Sequence, residues 1–220
     1  MRSFLLAGTC AASILLAVSS VQAADIDYVP EPQGWEWYVS VLAGWSNPDG
    51  IDGTTGGGYY YDLDLDDGFV AGIALGAHIN EWVRAEVEVS GHWHDVDGTV
   101  YPFDTVEGDA DAMFALANLW IDLPLSEIVR PYFGGGVGLG RLDLDIEWTN
   151  GDTAFDDSDW GFAYQLGAGV ALNITDNIAL DFGYRYKVIN NAEVEMEQNG
   201  EDVEVDYQSH NFIAGIRLEM

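Results

Sequence analysis

From Val83 to Trp93 the odd positions hold Val83, Ala85, Val87, Val89, Gly91 and Trp93, while Arg84, Glu86, Glu88, Ser90 and His92 take the even ones. Successive side chains of a strand point to opposite faces, so this segment has one apolar side and one ionic side. The same rhythm recurs in eight eleven-residue segments: 35–45, 69–79, 83–93, 112–122, 132–142, 162–172, 178–188 and 210–220. Eleven residues suffice for a tilted strand to cross a hydrocarbon core. The seventh sets Leu180, Phe182, Tyr184 and Tyr186 against Asp181, Arg185 and Lys187, and the eighth sets Phe212, Ile216 and Leu218 against Asn211, Arg217 and Glu219. Three segments are less regular. Leu42 lies opposite Trp37, Val39, Val41 and Trp45; Asn118 and Trp120 share a face, so either register misplaces one of them. In the glycine-rich segment from Arg130 to Arg141, Arg141 falls outward at the rim unless a bulge intervenes.

The connections alternate in length. Residues 80–82, 123–131 and 173–177 are short; 46–68, 94–111, 143–161 and 189–209 are long. Short turns at one rim and long loops at the other are the pattern of a barrel in the outer membrane, with periplasmic turns and surface loops. The fold expected is all-β: a closed, eight-stranded, antiparallel, up-and-down transmembrane β-barrel. A soluble, lipocalin-like barrel also alternates, but would turn its apolar face inward. Leu-Asp alternation persists in the loops, as in Asp62-Leu63-Asp64-Leu65-Asp66 and Leu142-Asp143-Leu144-Asp145-Ile146. The strands are therefore expected to continue past the bilayer as hairpins standing in water. Trp82 and Trp120 at short-turn ends, and Trp45, Trp93, Trp148 and Trp160 near long loops, predict two aromatic girdles.

Residues 1–23 read as a secretory signal: Arg2, an apolar run from Phe4 to Val18, and Val21-Gln22-Ala23 as the cleavage site. Residues 24–34 follow as a periplasmic N-terminal segment, and 35–220 as the barrel domain. Cys10, the only cysteine, leaves with the signal, which removes disulfide, cysteine-ligated metal and cysteine nucleophile from consideration. The net charge is −31, with 38 acids against seven bases. That balance repels nucleic acid. Eight Trp, eleven Tyr and nine Phe exclude the disorder that such charge otherwise suggests. The long loops contain no Lys or Arg.

The remaining bases concentrate on the inner face. Arg84, Arg185, Lys187 and Arg217 point inward with Glu86, Glu88, Asp181 and Glu219, which predicts a structural network of ion pairs in a lumen only wide enough for side chains. A narrow cation-biased pathway along that network is the alternative. His92 and His94, with Ser90 and Glu88, invite zinc or hydrolase readings. No further ligand has diagnostic spacing, and no G-x-S-x-G elbow is present. Asp62 to Gly68 lacks the glycine and terminal glutamate of an EF-hand loop, leaving only diffuse divalent-cation association. No catalytic, cofactor or metal residue is assigned, and no enzyme activity is expected.

Several stretches carry a family resemblance: Trp37-Tyr38-Val39-Ser40, Arg130-Pro131-Tyr132 followed by Gly134-Gly135-Gly136-Val137-Gly138, Asp181-Phe182-Gly183-Tyr184-Arg185-Tyr186, and Ser209-His210-Asn211-Phe212 with Ala214-Gly215-Ile216-Arg217. Together they resemble the porin-family outer-membrane β-barrel domain, the small OmpA/OmpX/opacity-like surface proteins of Gram-negative bacteria. The resemblance spans the chain beyond the signal. It implies a role in envelope integrity, adhesion or antigenicity, with slight permeability in some members, and it carries over no catalytic residue. The partners expected are outer-membrane lipid and lipopolysaccharide, with divalent cations as one bridge, and the barrel-assembly machinery during insertion. The family's last strand ends in an aromatic residue, where this chain has Met220. A monomer or weak oligomer is expected, with a lipid-modifying enzyme as the third and least favoured function.

Overall fold

The computed structural model describes residues 36–54, 60–101, 104–148, 153–196 and 201–220. The signal segment 1–23, the segment 24–34 and the side chain of Trp148 lie outside the described residues. Ten strands follow in order: β1 (Glu36–Pro48), β2 (Ile51–Thr54), β3 (Tyr60–Leu65), β4 (Gly68–Asn80), β5 (Val83–Tyr101), β6 (Asp104–Asp122), β7 (Val129–Trp148), β8 (Thr153–Thr175), β9 (Ile178–Met196) and β10 (Glu201–Glu219). Eight of them close on themselves in the antiparallel order β1-β4-β5-β6-β7-β8-β9-β10, with β1 pairing back onto β10. Six of the eight sequence segments lie wholly within one of these strands, the described residues 36–45 of the first lie in β1, and the last extends one residue beyond β10. The hairpin β2–β3 is an extra element in the first long loop, and β3 pairs with the upper end of β5.

Local chemistry sets the short turns. The Asn80 side chain accepts the Trp82 amide at 2.8 Å, which tightens the β4–β5 turn. Between β8 and β9 the Thr175 hydroxyl accepts the Asn177 amide at 3.3 Å. At the same rim Met220 donates its amide to Trp37 at 2.9 Å, so the first and last barrel strands end together.

Parity resolves the irregular segments. Leu42 points inward against Val70 and Ile213, while Trp37, Val41 and Trp45 face out. Asn118 and Trp120 both point inward, and Trp120 is fully buried, so it belongs to the lumen and not to a girdle. Arg141 stays outward without a bulge, paired to Asp143 at 3.0 Å and donating to Ser158 at 2.7 Å. Over five neighbouring strands the upper girdle is a registered row: Tyr184 opposite Phe212, Phe212 opposite Trp45, Trp45 opposite Phe69, and Phe69 opposite Trp93.

Above that row the environments exchange while the alternation continues. Along β5 to β7 the outward positions become Asp95, Asp109 and Asp145 in direct register, and then Asp97, Glu107 and Glu147. The inward positions become Val96, Val106, Ala110, Leu142, Leu144 and Ile146, which form one apolar cluster with Leu65, Ile189 and Tyr207. In lipid the apolar residues face out; in water they face in. The long strands thus pass through two environments in series, with opposite linings.

Leu144→Asp would put an unpaired carboxylate into the apolar cluster, a cost on the order of several kcal/mol. The extracellular extension should then become sensitive to externally added protease, while the membrane-spanning part keeps its heat-dependent shift in electrophoretic mobility. Unchanged protection would mean that this cluster does not hold the extension.

Candidate functional site

The lumen is assembled from the inward positions of all eight barrel strands, and it fills in tiers. At the periplasmic end Arg84 on β5 pairs with Asp122 at 2.8 Å and donates to the Tyr38 hydroxyl at 3.1 Å. Tyr38 in turn donates to Glu86 at 2.9 Å, and Glu86 also accepts the Trp120 indole and the Asn118 amide, both at 3.1 Å. Glu86 is therefore satisfied by neutral donors, not by a direct cation. Beside it Asp181 accepts from both Arg217 and Tyr132, and Arg185 donates to the Tyr132 hydroxyl at 3.1 Å. The Arg185 guanidinium lies 4.1 Å from the centre of the Trp120 ring, within cation–π range.

In the middle tier Lys187 reaches Glu88 at 2.5 Å and Ser90 at 2.6 Å. Gln165 donates to Glu88 at 3.1 Å, and Phe114 lies under the ammonium at 5.1 Å. Four bases, Arg84, Arg185, Lys187 and Arg217, thus face four carboxylates, Glu86, Glu88, Asp122 and Asp181, and all eight are buried. Glu219 stands apart at the periplasmic mouth, 3.3 Å from His78 and 4.0 Å from Arg217.

The backbone makes room for these groups with glycine. A Cβ at Gly136 on β7 would collide with the Asn118 amide, and one at Gly76 on β4 with the Tyr38 ring. Large inward side chains on one strand therefore face inward glycines on the next, which is how a narrow barrel accommodates Trp and Tyr.

The uppermost polar tier holds His92 and His94, but not with Ser90, which is taken by Lys187. Ser46 lies between them, 3.3 Å from His92 Nδ1 and 3.3 Å from His94 Nε2. His94 Nδ1 is 3.1 Å from the Asp66 carbonyl, which can only accept. That contact places the proton on Nδ1 and leaves Nε2 to accept from Tyr207 at 2.9 Å. Burial holds the His94 imidazole below its usual pKa, so it is neutral at physiological pH. Ser46, His92 and Tyr207 are sealed between Phe114 and the apolar cluster, out of reach of solvent and lipid. The Ser90-His-Glu88 arrangement considered from the sequence is not formed, because Ser90 and Glu88 are both held by Lys187.

Asp122, Tyr38, Asn118, Trp120, Tyr132 and Gln165 were not assigned to the lumen network from the sequence. One signal points to three of them: Asn118 and Trp120 on β6, and Tyr38 on β1, share parity with the charged residues and lie opposite glycine-rich positions of the neighbouring strand.

A closed antiparallel barrel with an apolar band, aromatic rims and a plugged polar interior defines an outer-membrane β-barrel protein. Residues 11–217 match the family described as outer membrane protein beta-barrel domain, and the chain belongs to that family. An uncharacterized protein of Brucella abortus (strain 2308) is 26% identical over 227 residues, covering 80% of this chain and 78% of its own length. Outer membrane protein PagN of Salmonella typhimurium is 26% identical over 182 residues, covering 77% and 74%. Among solved structures, Neisserial surface protein A superposes with a TM-score of 0.53 at 22% identity, over 84% of this chain and 97% of that one. The protein is located in the outer membrane.

Lys187→Met would leave Glu88 buried without its cation, a loss of about 3–5 kcal/mol. It should lower the urea midpoint of the lipid-embedded barrel markedly, and Glu88→Leu added to Lys187→Met should restore most of the loss. A double variant no more stable than the single one would show that Lys187 and Glu88 are not energetically coupled.

Proposed function

We propose that the chain acts as a closed surface barrel: a structural and interaction protein of the cell envelope, not a conduit and not an enzyme. The observation that carries this reading is the axial filling. The tiers from Asp122 to Tyr207 are made of paired or hydrogen-bonded side chains, and the apolar cluster of Leu142, Leu144, Ile146 and their neighbours caps them. An ion crossing this lumen would have to separate buried charge pairs and then traverse a dry apolar layer, each step costing several kcal/mol. What remains open to contact is the outside: lipid and lipopolysaccharide around the band, and the acidic extension above it.

The two histidines do not support a hydrolase. No nucleophile in that tier meets bulk solvent or lipid, and a lipid substrate would need one on the outward face.

Purified protein in planar bilayers should give no steady conductance, and Glu86→Gln and Glu88→Gln should behave alike. A steady cation current in the wild type, lost on neutralising Glu86 or Glu88, would overturn the closed-lumen reading in favour of a narrow channel.

A further inference from the structure

At β9 and β10 the outer aromatic row gains a second tier, and a cleft of about 560 Å³ opens beside it on the outer wall. Tyr184 lies in the row itself, opposite Phe212; Tyr186 stands one outward position higher, opposite His210. The Tyr184 hydroxyl is 2.6 Å from His210 Nδ1, and Tyr186 donates to the Gln208 side chain at 2.5 Å. Both rings therefore reach from β9 across to β10 and are held there. On the β8 side Leu166 and Ala168, opposite Tyr186 and Tyr184, form the apolar wall of the cleft. Asp49, just past the end of β1, stands at its upper lip, 3.9 Å from His210 Nε2.

A girdle tyrosine serves the interface by turning its hydroxyl to the wet side. Here both hydroxyls are spent on side chains of β10, so the rings are fixed and what they offer the cleft is π surface. His210 joins them, its ring centre 6.0 Å from that of Tyr184 and 5.2 Å from that of Tyr186. Charge decides what fits. The Asp49 carboxylate is half exposed, and residues 46–68, 162–172 and 189–209 contain no Lys or Arg. Arg141, the outward base of this rim, stands on β7 and pairs with Asp143. A phosphate or carboxylate would find no cation in the cleft. A bare divalent ion wants six or more oxygen ligands, and the lining offers a single carboxylate. Aromatic surface beside one acid suits an organic ammonium, through cation–π attraction and charge together. Below the cleft the wall continues through Val170 and Phe182, registered with each other, into the apolar band, so the molecule that carries the ammonium is a lipid.

We propose that this cleft on β8, β9 and β10 holds the ammonium headgroup of an outer-leaflet lipid, with the cation against Tyr184 and Tyr186 and beside Asp49, and an acyl chain along Ala168 and Phe182. This rests on the reading of the outside as the working surface and names one partner of it. The cleft is on the outer wall, apart from the lumen.

The test uses the full chain, freed of its signal, in nanodiscs of equal parts phosphatidylcholine and phosphatidylglycerol. The two lipids share phosphate and acyl chains and differ in the ammonium. Native mass spectrometry of the released protein should show phosphatidylcholine retained in preference to phosphatidylglycerol. Tyr186→Leu and Asp49→Asn should each lower that preference about fivefold or more. Tyr186→Phe keeps the ring and should retain most of it. Asp95→Asn, which removes an outward acid on β5, should leave it unchanged. Retention of the heat-dependent mobility shift certifies that each variant is folded.

Equal retention of the two lipids would overturn the site. So would a preference that Asp95→Asn lowers as much as Asp49→Asn, since that is general repulsion of anionic lipid by an acidic protein. A loss in Tyr186→Phe as complete as in Tyr186→Leu would remove the ring from the account and the cation–π site with it. Conductance recorded on the same preparation tests the closed lumen separately. A silent barrel without lipid preference rejects only the cleft, and a conducting one that keeps the preference rejects only the closed lumen.

Discussion

In hydrocarbon no water is present to satisfy a strand's amides and carbonyls, and each group left unpaired costs several kcal/mol. Everything else in this molecule follows from meeting that constraint with eight strands. The ladder must return from β10 to β1, and it does so in register from Tyr38 opposite Glu219 to Pro48 opposite Ser209. Once the bilayer ends, water can satisfy backbone groups, and the requirement lapses. Above the rim no ladder pair joins β2 to β10 among the described residues, and a hairpin lies where β1 does not continue.

Eight strands leave an interior only as wide as side chains can fill. Alternation sends half of every strand into that space, and in the membrane the half sent inward is the polar one. The charges must therefore neutralise one another locally, as Arg84 does with Asp122 and Lys187 with Glu88. Size is balanced as well as charge. Trp120, Tyr38 and Tyr132 are among the largest buried residues, and they fit because neighbouring strands present glycine. In water the inward half is apolar and behaves as an ordinary core. Polar plug and apolar cap meet at Ser46, His94 and Tyr207.

The eight spans, their order and the rim of the long loops could be read from period and turn length, because both are local properties of the chain. The inward side of Arg84 or Lys187 follows from parity alone, but their partners do not. Asp122 reads as the last residue of a strand, and only the β5–β6 register brings it to Arg84. Trp120 reads as a girdle residue because it sits near a short turn. Its true setting depends on Glu86 from β5 and on Gly134, opposite it on β7. The Leu-Asp alternation in the loops predicted strands outside the bilayer. It did not say which face was wet, since a pattern of period two is symmetrical between its faces until the solvent is specified.

The exchange of linings at the aromatic row also fixes how deeply the barrel floats. Sinking by two residues would push Asp95, Asp109 and Asp145 toward the acyl chains, and rising by two would lift Phe69 and Trp93 clear of the headgroups. Charge on a lipid-facing position is penalised more steeply with depth, and exposed indole and phenyl rings are penalised in the other direction. Opposed penalties of this kind act as a draught line. The outer face of the barrel thus sets its own height, and the acidic extension is displayed at a constant distance above the cell surface.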